Sequence, residues 1–179
     1  MKNFQEWAKR EFSVRQRLTA LGLEGILFVL IIPYLLVVSS AAIDRWLGLP
    51  RFATGAWNWV IGSPLVVGGG LLGLWAIQTQ MTTGLGTPAP MMPTRKLVVG
   101  GPFVYCRNPM TLGTFIAYLG ICIWIGSWSA IGLILILTGA LLLYEKRIEE
   151  KELEARFGPE YLEYKRETPF ILPRLRRRP

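Results

Sequence analysis

The residues best equipped for chemistry fall in two stretches. The first is EKRIEEKELEARFGPEYLEYKRETPFILPR, Glu145 to Arg174. Glu145, Glu149 and Glu152 recur there at i, i+4 and i+7, the spacing of one helix face. Glu150 lies on a neighbouring stripe, where Lys146 can pair with it. Such a face can accept hydrogen bonds or protons, and it is equally the pattern of a solvated, salt-bridged helix end. Phe157-Gly158-Pro159 stops the helix, with Gly at the usual C-terminal position, and Tyr161 and Tyr164 follow on a short helical segment.

The second stretch is GLGTPAPMMPTRKLVVGGPFVYCRNPMTLG, Gly84 to Gly113. Its Gly and Pro content excludes a regular helix throughout. It still carries apolar Leu97, Val98, Val99, Phe103, Val104 and Tyr105. Irregular backbone beside apolar walls can offer N–H and C=O groups to a ligand and a slot to an aromatic ring. A packed interfacial loop without a ligand has the same composition. The chain has no histidine, which removes the commonest general base and zinc ligand. Cys106 and Cys122 have neither metal-ligand spacing nor a pairing pattern, so they read as small apolar fillers and no metal site is expected.

The elements that must position these stretches are apolar. Hydrophobic residues make up 51% of the 179 and charged residues 18%. Between Arg45 and Glu145 there is no Asp or Glu, and the only cations are Arg51, Arg95, Lys96 and Arg107. A soluble fold needs polar surface on every element, so these stretches point to lipid as solvent. Apolar runs at Leu21 to Ile43, Trp59 to Gln80, Met110 to Ile125 and Trp128 to Tyr144 predict an all-α bundle of about four transmembrane helices. Pro33 within the first run is tolerated in lipid as a kink. Gly68, Gly69, Gly70 and Gly73 in the second allow close approach of another helix. Gly126-Ser127 permits only a tight hairpin, and Trp46 and Trp57 suit an interface. Residues 1–21, with Phe4, Trp7, Ala8 and Phe12 among five cations, read as a cytoplasmic lead-in, either an interfacial helix or a loose basic tail. The whole chain, 1–179, reads as a single membrane-embedded domain.

With four spans both termini and the Met81–Asn108 segment share one face. Eighteen of the twenty Lys and Arg residues then lie on it, and only Arg45 and Arg51 on the other. That asymmetry follows the positive-inside rule and places both termini in the cytoplasm. The net charge of +8 is explained by these membrane flanks, and no nucleic-acid partner is expected. The tail from Arg174 to Arg178 suits anionic lipid.

The order RKLV…GGPFVYCRNPM…LG, a hairpin, then EE-x-x-L-x-x-x-FG-x-E-Y-x-x-Y…P resembles the isoprenylcysteine carboxyl methyltransferase family and its bacterial relatives, membrane enzymes related to phospholipid N-methyltransferases. The resemblance covers Gly84 to Pro173. It implies an S-adenosylmethionine-dependent methyltransferase of a bacterial inner membrane, with a cytoplasmic site in residues 84–174 and a lipid-like or lipidated acceptor drawn from the membrane. Implied cofactor contacts are Arg95, Lys96, Leu97, Val98 and Phe103, then Asn108, Pro109, Met110 and Thr111 from the R-[HN]-P motif, with Glu149 as acidic partner. Asn108 stands where the eukaryotic enzymes carry histidine. Glu145 stands where the prenylcysteine enzymes use an arginine near their substrate, which fits an amine, a thiol or a neutral lipid at least as well as a carboxylate.

Methyl transfer to oxygen, nitrogen or sulfur requires the protein mainly to position two reactants and exclude water. Glu145 or Glu150 would take the proton of an amine acceptor. Arg107 would orient an anionic head group or pair with Glu149 or Glu150. Alternatives are a phospholipid N-methyltransferase specifically, an NADPH-dependent reductase with a related cofactor region, and a non-catalytic membrane scaffold or small transporter. The chain is short for the reductase bundle, and its spans lack the deep charges of ion-coupled transporters.

Overall fold

The computed structural model describes residues 13–52, 55–84 and 94–173. The expectations for the remainder of the lead-in, and for the basic tail from Arg174, lie outside the described residues. Among the described residues every regular element is helical. Helix α1, Val14–Gly25, opens with a capping box. The Ser13 hydroxyl accepts from Gln16 N at 3.2 Å, and the Gln16 side chain accepts from Ser13 N at 2.9 Å. Two N–H groups at the helix start are satisfied in this way.

A π turn over Ile26–Ile31 joins α1 to α2, Ile32–Leu47. It deals with Pro33, which has no N–H to give. In a π turn the carbonyl five residues earlier is the one left short, and that is Phe28. The Tyr118 hydroxyl donates to the Phe28 carbonyl at 2.6 Å. The proline expected to kink the first span is thus absorbed by a widened turn and a side-chain donor from another span. Gly48 ends α2 in the left-handed conformation at φ 64°.

Helix α3 is Ala56–Thr79 and continues through a π turn to Gly84. A short 3-10 turn, Gly101–Val104, leads to α4, Pro109–Ile125. Gly126, at φ 69°, closes α4 by donating to the Cys122 carbonyl at 2.9 Å, and Ser127 caps α5, Trp128–Tyr144, by accepting from Ala130 N at 3.0 Å. The hairpin expected at Gly126-Ser127 is therefore present. The chain then runs without a break through a π turn, Glu145–Glu149, into α6, Glu150–Phe157. Gly158 turns it into α7, Pro159–Glu167.

Three continuous helices, Arg15–Leu47, Ala56–Gly84 and Trp128–Phe157, are long and apolar enough to cross a membrane, and α4 is a shorter apolar helix. Val29, Leu30 and Ile136 are 69%, 62% and 72% exposed. Apolar side chains this open on the long helices fit lipid contact, not water.

Helices α3 and α4 meet backbone to backbone. A Cβ on Gly69 would fall 2.4 Å from both Ala117 N and the Gly113 carbonyl oxygen. Gly62 and Gly120 face each other in the same way: a Cβ on either would fall 2.6–2.7 Å from the other's carbonyl oxygen. A Cβ on Gly113 would strike the Gly73 backbone, whereas a Cβ on Gly68, Gly70 or Gly73 itself would meet nothing within 4 Å. Close approach of small residues is the packing device open to helices in lipid. The remaining spans join through side chains: Leu36 of α2, Tyr118 and Cys122 of α4, and Ala130 and Ile134 of α5 form one buried cluster.

Candidate functional site

Site residues collect at one end of the bundle, where α4 begins, α5 passes into α6, and α7 folds back. The ends of the irregular stretch come together there. Arg95 N and Lys96 N both donate to the Gly84 carbonyl, at 2.8 and 3.4 Å. Arg156 of α6 reaches across 62 residues to donate to the Thr94 carbonyl, while its other arm meets Glu152 at 3.3 Å. The guanidinium also lies 4.9 Å over the Phe157 ring.

Val98 and Phe103 are buried with Ala76, and Met110 and Tyr164 pack against them. The Tyr164 hydroxyl donates to the Phe103 carbonyl at 2.7 Å. Burial pushes the Tyr164 phenol above its ordinary range, so it remains a donor. Burial likewise raises the Cys106 thiol, which leaves it a protonated filler. Leu97 is half-buried and Lys96 exposed.

Pro109 is the first residue of α4 and is fully buried. Asn108 precedes it but does not cap the helix with its side chain. Its Nδ2 donates instead to the Phe170 carbonyl at 3.1 Å. The first intrahelical donor of this end is Leu112 N, bonded to the Asn108 carbonyl at 3.1 Å. The N–H groups of Met110 and Thr111 come before it and have no partner within the helix.

The Thr111 hydroxyl donates to Oε1 of Glu145, and both side chains are buried. No ion pair reaches Glu145 among the described residues, and its Oε2 is buried without a hydrogen-bond partner. An enclosed carboxyl with one oxygen unsatisfied is costly and marks a place where a ligand donor would fit.

Helical spacing alone groups Glu145 with Glu149 and Glu152. The π turn changes this. It inserts one residue per turn and shifts the phase, so that Glu145 and Glu150 are buried while Glu149 faces out. Glu150 does not use Lys146. It meets Arg107 Nη2 at 2.8 Å and Lys165 Nζ at 2.7 Å. Lys165 also meets Glu154 at 2.7 Å, and these carboxylates hold its ammonium above the usual range. Arg107 therefore takes the pairing role with Glu150.

The structure thus brings together Thr111 with Glu145, Val98 with Phe103 and Met110, and Arg107 with Glu150. Glu149 remains outward-facing on the same turn. Tyr164 of the E-Y-x-x-Y pattern also builds this end, as do Arg156, Lys165 and Phe170, which the linear pattern does not single out for it. The i, i+4 spacing of Glu152 and Arg156 foretells one arm of that guanidinium. Its reach to Thr94 has no local signal. Among the described residues, no three His, Cys, Asp or Glu side chains gather so as to hold a metal ion.

Comparison with known proteins places the chain in a family. A family profile described as Phospholipid methyltransferase matches residues 57–160, more than half of the chain. The Cobalt-zinc-cadmium resistance protein CzcN of Cupriavidus metallidurans is 29% identical over 127 residues, which are 69% of this chain and 56% of that protein. The chain thus matches little more than half the length of that relative. No solved structure matches. The matched region holds α3, the α4–α5 hairpin, the buried Thr111–Glu145 pair and α6, and by this match the chain belongs to the phospholipid methyltransferase family of membrane methyltransferases.

Proposed function

We propose that this protein transfers a methyl group from S-adenosylmethionine to a lipid-like acceptor whose reacting atom carries a proton, an amine foremost. Family membership supports the reaction class. The observation that carries the finer reading is the Thr111–Glu145 pair, a buried carboxyl fixed by one oxygen and open at the other.

The residues present fit the cofactor. The uncapped start of α4 offers the N–H groups of Met110 and Thr111, and the positive end of the helix dipole, to a carboxylate. Glu149, exposed one turn beyond the Glu145 that bonds Thr111, suits an ammonium or ribose hydroxyls. Arg95, Lys96, Leu97 and Val98, held at Gly84 and by Arg156 through Thr94, border the same end, with Phe103 behind them. When bound, S-adenosylmethionine supplies an electrophilic methyl carbon.

The protein's own work is then to align the acceptor, exclude water and receive a proton. Glu145 Oε2 accepts a hydrogen bond from an N–H, O–H or S–H and takes the proton as the new bond forms. A carboxylate acceptor offers no such donor and would face a like charge. Both termini and the site lie on the cytoplasmic face of the membrane, a side that the Lys and Arg distribution supports. The acceptor's tail runs along the exposed apolar sides of the spans.

The test is methyl transfer from labelled S-adenosylmethionine by protein in nanodiscs to a matched set: a long-chain amine, phosphatidylethanolamine, a lipid thiol and a fatty carboxylate. Label in the amines, and not in the carboxylate, is expected. Preference for the carboxylate would overturn the role of Glu145. Label in phosphatidylethanolamine alone would narrow the activity to a phospholipid N-methyltransferase.

A further inference from the structure

The chain after α7 returns to the start of α4 and is bound there residue by residue. Arg107 N donates to the Pro169 carbonyl at 2.9 Å, and Asn108 N to the Phe170 carbonyl at 3.2 Å. Asn108 Nδ2 reaches the same Phe170 carbonyl. The Arg107 guanidinium sits over the Phe170 ring at 5.6 Å, donates from Nη1 to the Lys165 carbonyl at 3.1 Å, and pairs through Nη2 with Glu150. Tyr161, 2% exposed, anchors α7 from below, and Thr168 is buried at its end.

One guanidinium therefore touches three separate pieces: the acidic helix α6, the last turn of α7, and the Pro169–Phe170 strap. It does so from the position directly before Asn108-Pro109. Its side chain is 11% exposed and that of Glu150 is 7%. Among the described residues only the Arg107 Nε, itself buried, is left without a hydrogen-bond partner, so the guanidinium has little left for an acceptor head group. Its planar fork is suited to fixing several acceptors at once, where a lysine would be a single point of charge.

We propose that Arg107 is a positioning residue: it clamps α7 and the Pro169–Phe170 strap onto the start of α4, and so sets the spacing between the Met110 and Thr111 N–H groups and the acidic turn at Glu149. The effect on catalysis rests on the cofactor reading above; the clamp itself does not. Glu150 is the partner that transmits the restraint to α6, and Lys165 closes it from the far side. Arg107 and Glu150 act through other groups and touch neither reactant.

The experiment compares wild type, Arg107→Lys, Arg107→Met, Glu150→Gln and the Arg107→Met/Glu150→Gln double variant in nanodiscs. Hydrogen exchange over 159–173 reads the clamp. Binding of S-adenosylhomocysteine and the acceptor KM read the site. Arg107→Met is expected to lose exchange protection over 159–173 and to weaken cofactor binding about tenfold, as misplacement of aligned groups does, with acceptor KM unchanged. Arg107→Lys should keep part of the protection, and the double variant should lose no more than the worse single. Unchanged protection in Arg107→Met overturns the clamp. A rise in acceptor KM with cofactor affinity intact overturns the positioning role and makes Arg107 a head-group ligand. Should Arg107→Met not fold, Glu150→Gln carries the same readouts, and normal protection in it is equally fatal. If wild type binds no S-adenosylhomocysteine, the cofactor reading falls, and the exchange data alone decide the clamp.

Discussion

The two faces of α4 are built on opposite principles. Towards α3 it presents Gly113 and Gly120, and backbones meet at distances that leave no room for a Cβ. Towards α5 and α6 it presents side chains, with Tyr118 and Cys122 in an apolar cluster and Thr111 on a buried carboxyl. The first contact is continuous along the helix and uses no charge. The second ends, at the α4 start, in the ionic assembly of Arg107, Glu150 and Lys165. Glycine packing gives a fixed base. Polar contacts at one end give an arm whose placement depends on a few named groups, and the candidate chemistry lies where base and arm meet.

Substitutions on the two faces of α4 should therefore fail differently. The largest effect is expected at the base. Gly69→Leu or Gly113→Leu forces a side chain into backbone and should cost about 3 kcal/mol or more, read as a lower unfolding temperature in detergent together with loss of activity. Folding as well as wild type would show that the helices can part without penalty, and the rigid-base description would fail.

At the junction the fold should survive while activity falls. Glu145→Ala should lower kcat/KM for an amine acceptor about 100-fold, in the range of removing a general base, with helical content unchanged by circular dichroism. Thr111→Val should lose less, because the carboxyl remains and only its anchor is removed. An active Glu145→Ala enzyme would release Glu145 from any part in proton transfer.

Tyr164→Phe removes the donor to the buried Phe103 carbonyl and should cost about 1 kcal/mol, measured as a small loss of thermal stability with the site intact. The smallest effect belongs to glycines that touch nothing. Gly68→Ala and Gly70→Ala are expected to stay within about 0.5 kcal/mol of wild type, despite being neighbours of Gly69. A large cost at either would mean that the α3 glycines act through the helix itself and not through α4.

Much of the frame is readable from local chemistry. Apolar runs with no charge beyond Glu24 mark the spans, Gly126-Ser127 marks a hairpin because no longer loop is available, and Phe157-Gly158-Pro159 marks a helix end. The glycine run in α3 points to close packing, but of the four only Gly69 would put a Cβ into α4. Which glycine is used depends on the helix rotation, and that is set by Gly62, Gly113 and Gly120 on both partners. The acidic helix shows a different limit. Its 3.6-residue periodicity groups Glu149 with Glu145, yet one π turn re-phases the helix and buries Glu150 in its place. Hydropathy and charge carry no trace of that turn. Contacts such as Arg156 to Thr94, or Asn108 to Phe170, span about sixty residues and exist only once the chain has folded back.

The most direct test is calorimetric titration of nanodisc-embedded protein with S-adenosylmethionine and S-adenosylhomocysteine, with NADPH alongside, in wild type and Glu149→Ala. Saturable binding of both methyl-cycle ligands, none of NADPH, and weaker binding by a folded Glu149→Ala variant is the predicted result. Absence of binding in folded wild-type protein would contradict the S-adenosylmethionine reading, and unchanged affinity in Glu149→Ala would contradict the location of the pocket.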